Sequence, residues 1–416
     1  MNVLSLFDGM SCGQQALERI GIKVDNYFAS EIDKYAIQVT MANYPNTKQL
    51  GSVINVNGYD LPKIDLLIGG SPCQSFSFAG KRKGMSTKDE QEILTLNHYL
   101  QLKSEGYEFE GQSYLFWEYM RLLNEVKPKY FLLENVIMGE KWEKILSKAI
   151  GVNPIEINST LVSAQNRKRL YWTNIGMKPM GLFGDLESII LQPKDKGIFL
   201  KDILENDVDE KYFLSDKMIA GFDRHKERHN EKGTGFGYIP KTEIDKGNSL
   251  RANAALCPTD NMLIVHNTQK RDSNRPSIQK NKNAGGSGHL SRTDGKTYCL
   301  DRGQSNVVEI RKVKQLSNNN KSNGGTQPYQ QDRIYDINGI SPALQANLPN
   351  GSNMINTLSI RRLTPIECER LQTVADNYTN YVSDSQRYKM LGNGWTVDVI
   401  AHIFKEIKNY ECIKSF

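Results

Sequence analysis

The chain has 416 residues, which at roughly 150 residues per domain allows two or three domains. Hydrophobic residues make up 38% and charged residues 24%, a balance that excludes a disordered chain and a membrane-spanning one. The formal net charge of +6 permits a nucleic-acid partner without requiring one.

Targeting and cysteine patterns point to the same compartment. No basic region precedes an apolar stretch at the N-terminus, so we expect neither a signal peptide nor a transit peptide, and no membrane association. The six cysteines never form a C-x-x-C pair, which argues against a disulfide scaffold and a zinc cluster. We therefore expect a protein of the reducing cytoplasm.

Strand-like and helix-like segments alternate over the first 176 residues. Strands are predicted at residues 2–7, 27–30, 64–68, 130–133 and 170–175, and helices at 14–20 and 113–126. Such alternation favours a mostly parallel sheet with helices on both faces. The same texture returns near the C-terminus, where helices are predicted at 364–372 and 396–407.

The intervening residues differ in composition. Asn, Gly, Ser and Lys dominate, and short strand-like pieces alternate with turn clusters, which is typical of irregular or β-rich structure. We therefore predict an α/β domain formed by residues 1–176 and 359–416, and a smaller irregular or β-rich domain formed by 177–358. A chain that leaves a domain and returns to it suggests a cleft between the two.

The turn after the first predicted strand has the features of a ligand-binding loop. Its sequence is Phe7-Asp8-Gly9-Met10-Ser11-Cys12-Gly13, and glycine lets backbone approach a ligand closely. The spacing is not G-x-G-x-x-G, so a dinucleotide is not favoured. Glu31, at the end of the second predicted strand, could accept hydrogen bonds from both ribose hydroxyls of an adenosine cofactor. A structural turn and a solvent-exposed glutamate would explain the same residues.

A cysteine follows the third predicted strand, in the run Gly69-Gly70-Ser71-Pro72-Cys73-Gln74. Ligands of open parallel sheets sit at the carboxyl ends of strands, and a cysteine in a tight loop there can act as a nucleophile. Most lone cysteines, however, are inert small hydrophobic residues. The position of Cys73 alone leaves both roles open.

Further charged side chains follow the next predicted strands. Glu134 stands at the mouth of an apolar strand, where loss of solvent favours the protonated form and makes it a candidate proton donor. A helix-capping or ion-paired glutamate is the alternative. Gln165, Arg167 and Arg169 alternate along an extended segment, so they project to one side. Basic clusters are also common on solvated surfaces.

Taken in order, these segments resemble the DNA cytosine-5 methyltransferase family. The series is Phe7-Asp8-Gly9, Glu31, Pro72-Cys73-Gln74, Glu134-Asn135-Val136, Gln165-Asn166-Arg167-Lys168-Arg169 and, after a variable insertion, Gly392-Asn393-Gly394-Trp395-Thr396-Val397. Ala29-Ser30-Glu31 and Leu115-Phe116-Trp117-Glu118 further resemble the branch that contains the animal de novo methyltransferases and related bacterial and phage enzymes. The resemblance implies a Rossmann-like S-adenosylmethionine-dependent domain, with residues 177–358 as the target-recognition domain.

The resemblance also implies covalent catalysis on a cytosine base. Carbon 5 of cytosine is a weak nucleophile, so a thiolate, here that of Cys73, first adds to carbon 6. Glu134 would protonate ring nitrogen 3, and the enamine so formed attacks the methyl group. Arg169, supported by Arg167, would hold the exocyclic oxygen and the neighbouring phosphate. Loss of the carbon 5 proton then expels Cys73.

The implied methyl donor is S-adenosylmethionine, which becomes S-adenosylhomocysteine, and no metal is implied. By resemblance, Phe7 packs on the adenine or sulfonium region, Glu31 holds the ribose, and the loop with Asn393 and Trp395 closes over the methionine part. Ser52 stands where the family normally has an aspartate that reads the adenine amino group. The other cofactor-binding residues implied are Asp8, Gly9, Ile32, Val53 and Pro72.

The expected partner is double-stranded DNA, from which the target base is flipped out. Residues 81–84 (Lys-Arg-Lys-Gly) could form a basic loop that closes over phosphates. A monomer suffices to methylate one strand at a time. The expected biological role is restriction-modification, in which a cognate restriction endonuclease would act separately, or phage self-protection. Three alternatives remain: a cytosine-5 transfer-RNA methyltransferase, a nicotinamide oxidoreductase and a non-catalytic DNA-binding protein. The long insertion favours a reader of duplex sequence over the first, and Cys73 would be unused in the other two.

Overall fold

The computed structural model describes residues 1–72, 85–180, 185–231, 240–252, 257, 260–265 and 359–414. Within these ranges the helices are α1 (Cys12–Arg19), α2 (Lys34–Asn43), α3 (Leu96–Ser104), α4 (Phe116–Val126), α5 (Glu140–Ile150), α6 (Asp216–Glu231), α7 (Pro365–Leu371), α8 (Asp384–Asn393) and α9 (Val397–Lys414). The strands are β1 (Asn2–Leu6), β2 (Asn26–Ser30), β3 (Lys48–Gln49), β4 (Leu66–Gly70), β5 (Tyr130–Val136), β6 (Ile155–Asn158), β7 (Gln165–Asn166), β8 (Lys168–Thr173), β9 (Met177–Met180), β10 (Asp185–Ser188), β11 (Gly247–Asn248), β12 (Met262–Val265) and β13 (Ser359–Arg362).

The largest sheet in the described ranges has seven strands in the order β3-β2-β1-β4-β5-β8-β6. The first five of these run parallel, and β8 is antiparallel to both β5 and β6. The pairs β9–β10, β7–β11 and β12–β13 form small two-stranded sheets. The prediction of a Rossmann-like α/β domain with a mostly parallel sheet, accompanied by a smaller β-rich region, is confirmed.

The central strands are apolar runs because both of their faces are covered. Strands β1, β4 and β5 are buried along almost their whole length, as is usual where helices cover both faces of a parallel sheet. Leu6 and Leu67 pack in a core with Trp117 of α4 and Trp172 of β8, all fully buried. Burial of each such leucine contributes about 1.5–3 kcal/mol. This core fixes the strand ends that carry the candidate site.

The chain returns to this domain through a well-capped helix. The Thr364 side chain accepts a hydrogen bond from the Glu367 amide at 3.2 Å, and the Glu367 carboxylate accepts one from the Thr364 amide at 2.8 Å. Pro365 occupies the first turn, where its missing N–H costs nothing. Farther on, α9 packs against α1. This packing fixes the loop between α8 and α9.

The chain divides into two compact units. The larger consists of Met1–Tyr212, Gly221–Met262 and Arg362–Phe416, and it contains the seven-stranded sheet. The smaller consists of Phe213–Ala220 and Leu263–Arg361. The larger unit thus extends past residue 176, while the functional division at that residue stays a prediction. Among the described helices, none combines the length and apolar character needed to cross a bilayer.

Candidate active site

A cavity of about 530 Å³ lies at the carboxyl ends of β1, β2, β4 and β5, within the larger unit. Its volume falls in the usual range for small-molecule sites. Every predicted site residue that the structure describes lines it: Phe7, Asp8, Gly9, Glu31, Ile32, Ser52, Val53, Pro72, Glu134, Arg167, Arg169, Asn393 and Trp395. Cys73 and the basic run 81–84 lie outside the described residues. Segments far apart in the chain therefore converge on one cavity.

The turn between β1 and α1 forms one wall of the cavity. Phe7, Gly9 and Ser11 have φ values of 56°, 59° and 59°, in the left-handed region. The two residues that are not glycine are strained there, a condition that persists when surrounding structure imposes it and that is common at ligand sites. At Gly9 a side chain would meet no heavy atom within 4 Å, so the backbone borders open space. The turn can thus bring backbone close to a ligand.

Glu31 joins the end of β2 to this turn. Its Oε2 accepts a hydrogen bond from the Gly9 amide at 2.8 Å. Its Oε1 accepts from the amides of Ile32 and Asp33 at 2.7 and 2.8 Å. Three backbone donors thus fix the carboxylate, whose remaining lone pairs are available to hydroxyl groups of a ligand.

Asp8 supports the turn from beneath. Its carboxylate accepts hydrogen bonds from the hydroxyl of Tyr27 at 2.8 Å and from the hydroxyl of Ser11. Burial raises the pKa of Asp8 to about 6, although hydrogen bonds from Ser11, Ser5 and Tyr27 oppose the rise. Both carboxylate oxygens are therefore used within the protein, and Asp8 acts chiefly on the shape of the turn.

Glu134 lies at the centre of the candidate site. Strand β8 pairs with β5 so that Arg169 stands opposite Val136, which places the Arg169 and Glu134 side chains diagonally on one face. The Arg169 Nε atom is 3.0 Å from Glu134 Oε1. The Trp395 indole N–H donates to Glu134 Oε2 at 3.1 Å. Glu134 is only 8% exposed, so these two donors dominate its surroundings.

The basic segment before β8 alternates as its spacing predicts. Gln165 and Arg167 are buried, whereas Asn166 and Lys168 are exposed. The Arg167 guanidinium donates to the carbonyl oxygens of Gly392 and Gly394, at 3.3 and 2.9 Å, and to Ser249 Oγ at 3.2 Å. Arg167 therefore holds the loop that carries Asn393 and Trp395, a role that the sequence did not suggest.

Gln372 is a second anchor of that loop. Its amide nitrogen donates to the carbonyls of Leu391 at 2.7 Å and Gly394 at 3.2 Å. Its amide oxygen accepts from the hydroxyl of Thr396 at 2.9 Å, and the Gln372 side chain is fully buried. Sequence reasoning missed Gln372, since nothing in its spacing connects it with the site.

Gly70 allows the central groups to meet. A Cβ atom at Gly70 would lie 2.9 Å from Trp395 Nε1 and 3.1 Å from Glu134 Oε2. The first distance is shorter than real Cβ atoms show and the second is tighter than most, so the indole and the carboxylate occupy much of the space that a larger residue would need.

Arg121 of α4 fixes the opposite wall. Its Nη2 donates to the carbonyls of Val53 and Val56, at 3.1 and 2.9 Å, and its Nη1 donates to Glu125 at 2.8 Å. Glu125 in turn accepts from the Gly58 amide at 2.8 Å. The segment that carries Ser52 and Val53 is thus held by a helix that the sequence did not connect with it.

No metal centre is evident in the described ranges, where no cluster of three or more His, Cys, Asp or Glu side chains could hold an ion. The described part of the cavity wall carries four carboxylates, two guanidinium groups and an indole N–H, those of Asp8, Glu31, Asp33, Glu134, Arg167, Arg169 and Trp395. That set suits an adenosine-containing ligand and proton transfer to a polar base.

Comparison with known proteins identifies the family. The model for C-5 cytosine-specific DNA methylases matches residues 1–409. Orphan methyltransferase M.SPRI of Bacillus phage SPR is 29% identical over 465 aligned residues, covering 98% of this chain and 97% of the relative. Type II methyltransferase M1.ScrFI of Lactococcus lactis subsp. cremoris is 32% identical over 52% of each chain. The crystal structure of S. pombe Dnmt2 methyltransferase covers 99% of both chains with a TM-score of 0.54 and 14% identity, a likeness of fold alone. Since the family model matches nearly the whole chain and the fold agrees, the protein belongs to the C-5 cytosine-specific DNA methylase family and is a DNA (cytosine-5-)-methyltransferase.

Proposed function

We propose that the protein transfers a methyl group from S-adenosylmethionine to carbon 5 of a flipped-out cytosine in duplex DNA, through covalent catalysis by Cys73. The observation that carries this proposal is the position of Glu134, held between Arg169 and Trp395 in a cavity that Pro72 also lines. Cys73 is the next residue in the chain after Pro72. A nucleophile and a proton donor would therefore approach the same base.

The cavity fits the proposed cofactor. Open space at Gly9 admits a ligand against the backbone, and the fixed Glu31 carboxylate can accept hydrogen bonds from ribose hydroxyls. S-adenosylmethionine supplies an electrophilic methyl group on a sulfonium when bound. Phe7, Ile32 and Val53 would pack on the adenine and ribose, with Ser52 beside the adenine amino group. We further propose that the cofactor contacts Asp8, Pro72, Asn393 and Trp395, which also line the cavity.

Each protein group has a defined part in the proposed reaction. The thiolate of Cys73 forms a bond to carbon 6 of cytosine while Glu134 gives its proton to ring nitrogen 3, which prevents negative charge from building up on the ring. Arg169 donates to the exocyclic oxygen and the neighbouring phosphate, and Arg167 keeps the adjoining loop in place. After methylation, a base such as water removes the carbon 5 proton, the electron pair of that C–H bond forms the C5–C6 double bond, and the thiolate leaves, while the proton on ring nitrogen 3 returns to the Glu134 carboxylate. The thiolate and the carboxyl group supply nucleophile and acid, so this reaction requires no metal ion.

The proposed substrate is a specific sequence in double-stranded DNA. Extrusion of the base costs a few kcal/mol for unstacking and unpairing, which contacts made by the protein must offset. Residues 177–358 are proposed to read the sequence, since their Arg, Asn and Gln side chains can pair with guanine or adenine edges. One chain acting in the cytoplasm suffices. We propose a role in restriction-modification, with a separate endonuclease, or in phage self-protection.

Methyl transfer to defined substrates tests the proposal. Purified protein is incubated with S-adenosylmethionine carrying a labelled methyl group and, in parallel, with duplex DNA or transfer RNA. The labelled base is then identified, and Cys73→Ser and Glu134→Gln are assayed beside the parent. Sequencing of methylated cytosines in DNA from expressing cells identifies the target site.

We expect 5-methylcytosine in DNA, abolished by Cys73→Ser and reduced by about 10²- to 10⁴-fold by Glu134→Gln, the usual contribution of a general acid. Label on an exocyclic amino group, or full activity of Cys73→Ser, would overturn the covalent mechanism. Label on transfer RNA alone would favour the RNA methyltransferase.

A further inference from the structure

The two oxygens of Glu134 have different partners. Oε1 faces the Arg169 guanidinium at 3.0 Å, and Oε2 accepts from the Trp395 indole N–H at 3.1 Å. Both groups can only donate, but Arg169 is proposed to turn to the base when a cytosine enters, whereas the Trp395 indole has no proposed partner on the base. The two contacts therefore have different fates once the substrate is bound.

We infer that Trp395 is a positioning residue for the proton donor: its indole N–H keeps Oε2 of Glu134 an acceptor and leaves Oε1 to carry the proton. An N–H that points at one carboxyl oxygen disfavours a proton on that oxygen and favours the other. The inference rests on the proposed role of Glu134 as the acid. It assigns Trp395 a part in the reaction in addition to lining the cofactor cavity.

The proton transfer balances with these partners. A proton on Oε1 removes the ion pair with Arg169 and frees that guanidinium for the exocyclic oxygen of the base. When the Cys73 thiolate adds to carbon 6, the Oε1–H bond breaks, its electron pair stays on Glu134, and the N3–H bond forms. The resulting carboxylate still accepts from Trp395. The indole N–H thus stabilises the charge that develops on the acid during the step.

Several restraints hold the indole in this position. Arg167 and Gln372 both donate to the carbonyl of Gly394, the residue before Trp395. The absence of a side chain at Gly70 leaves space for the indole beside the carboxylate, since a Cβ there would lie 2.9 Å from Nε1. A donor that is fixed before the substrate binds costs no reorganisation during the reaction. The Trp395–Glu134 contact is therefore a built feature of the active site.

The test combines Trp395→Phe with Glu134→Gln in a double-mutant cycle. Phenylalanine keeps an aromatic side chain, although a smaller one than the indole, and removes the N–H. Single-turnover methyl transfer to a cytosine duplex is measured at saturating S-adenosylmethionine for the parent, both single variants and the double variant. Trp172→Phe is the matched control, since its indole N–H donates to Ser147 Oγ at 2.9 Å, and the register Glu134↔Tyr171 places Trp172 on the opposite face of the sheet from Glu134. Gly70→Ala replaces Trp395→Phe if that variant does not fold, because it crowds the indole against Glu134 in both backgrounds and leaves the indole N–H in place.

We expect Trp395→Phe to slow the parent about 10- to 100-fold, the effect of one hydrogen bond to a charged group, and to slow Glu134→Gln by less than about twofold. Formation of the covalent adduct on a 5-fluorocytosine duplex should be slowed less than methylation of cytosine, because fluorine makes carbon 6 more electrophilic. Trp172→Phe should reduce the rate by the same small factor in both backgrounds.

Equal losses from Trp395→Phe in both backgrounds would overturn the inference, because a merely structural tryptophan does not depend on the acid. An unchanged single-turnover rate would also overturn it. Full activity of Glu134→Gln would instead contradict the proposed function, and the inference with it.

Discussion

Replacement of Gly70 by alanine tests the geometry of the active site directly. The added Cβ would lie 2.9 Å from Trp395 Nε1, and ordinary contact begins near 3.4 Å, so the indole must retreat by about 0.5 Å. Gly70 does not have a positive φ, so alanine suits its backbone and the collision alone determines the effect. The displaced indole then loses its 3.1 Å hydrogen bond to Glu134.

The expected loss in the single-turnover rate is about tenfold, or about 1.4 kcal/mol in activation free energy. Misplacing a catalytic group by 1 Å can lower the reaction rate about 10²-fold, and the indole here is displaced by about half that distance. Overpacking costs about 1–3 kcal/mol of stability, part of which is offset by the lower entropy of the unfolded alanine chain. That cost leaves most of the protein folded, since domains have about 5–15 kcal/mol in total.

The assay is single-turnover methyl transfer at saturating cofactor and DNA, accompanied by thermal unfolding of each variant. Gly139→Ala is the control, because Gly139 does not have a positive φ, a side chain there meets no heavy atom within 4 Å, and the rate should not change. A Gly70→Ala protein that is folded and reacts within twofold of the parent would refute the claim that Trp395 and Glu134 need the space.

Three further predictions concern the cofactor wall, the turn and a buried ion pair. Arg121→Met should raise the KM for S-adenosylmethionine about tenfold with little change in the KM for DNA, since Arg121 holds the Val53 carbonyl at 3.1 Å; equal changes in both constants would contradict this. Burial raises the pKa of Asp8 from 3.8 to about 6, so the folded state binds this proton more tightly than the unfolded state, and stability falls as pH rises through that window by at most about 3 kcal/mol. Urea unfolding at pH 4 and pH 7 should therefore show Asp8→Asn gaining stability relative to the parent at the higher pH, and no relative gain would refute the assignment. Arg387→Met should lower the free energy of unfolding by about 3 kcal/mol in urea titration, because it leaves the fully buried Glu369 without its cation at 3.1 Å; a loss below about 1 kcal/mol would show that the remaining hydrogen bonds suffice.

The strands were predictable where burial is complete. A short apolar run such as that of β5 is consistent with a strand in the interior of a sheet, and its polar end at Glu134 followed from the same pattern. Strand β8 was predicted as a strand, but its antiparallel direction was not, because direction depends on the route of the preceding connection. The local sequence of a strand therefore predicts its burial better than it predicts the direction in which the strand pairs with its neighbours.

The contacts between distant side chains were not predictable. Trp395 was assigned to the cofactor by resemblance, yet its N–H donates to a residue 261 positions earlier. Arg167 was expected to support Arg169 at the base, and the structure adds hydrogen bonds to the Gly392 and Gly394 carbonyls that the sequence did not suggest. Such hydrogen bonds depend on how the folded segments meet, which no periodicity in one segment encodes.

Helix α1 packs against α9, the last of the described helices, so this part of the core forms only after α9 has been synthesised. During synthesis, the ribosome must add nearly 380 residues after α1 before α9 begins. A nascent or prematurely terminated polypeptide that stops within the insertion lacks Trp395 and the anchor Gln372. Such a fragment contains Cys73 and Glu134 but lacks the indole and the loop anchor that surround Glu134 in the folded chain, so we expect it not to methylate DNA. Contacts of such high sequence separation generally slow folding, so we also expect the packing of α9 on α1 to form late.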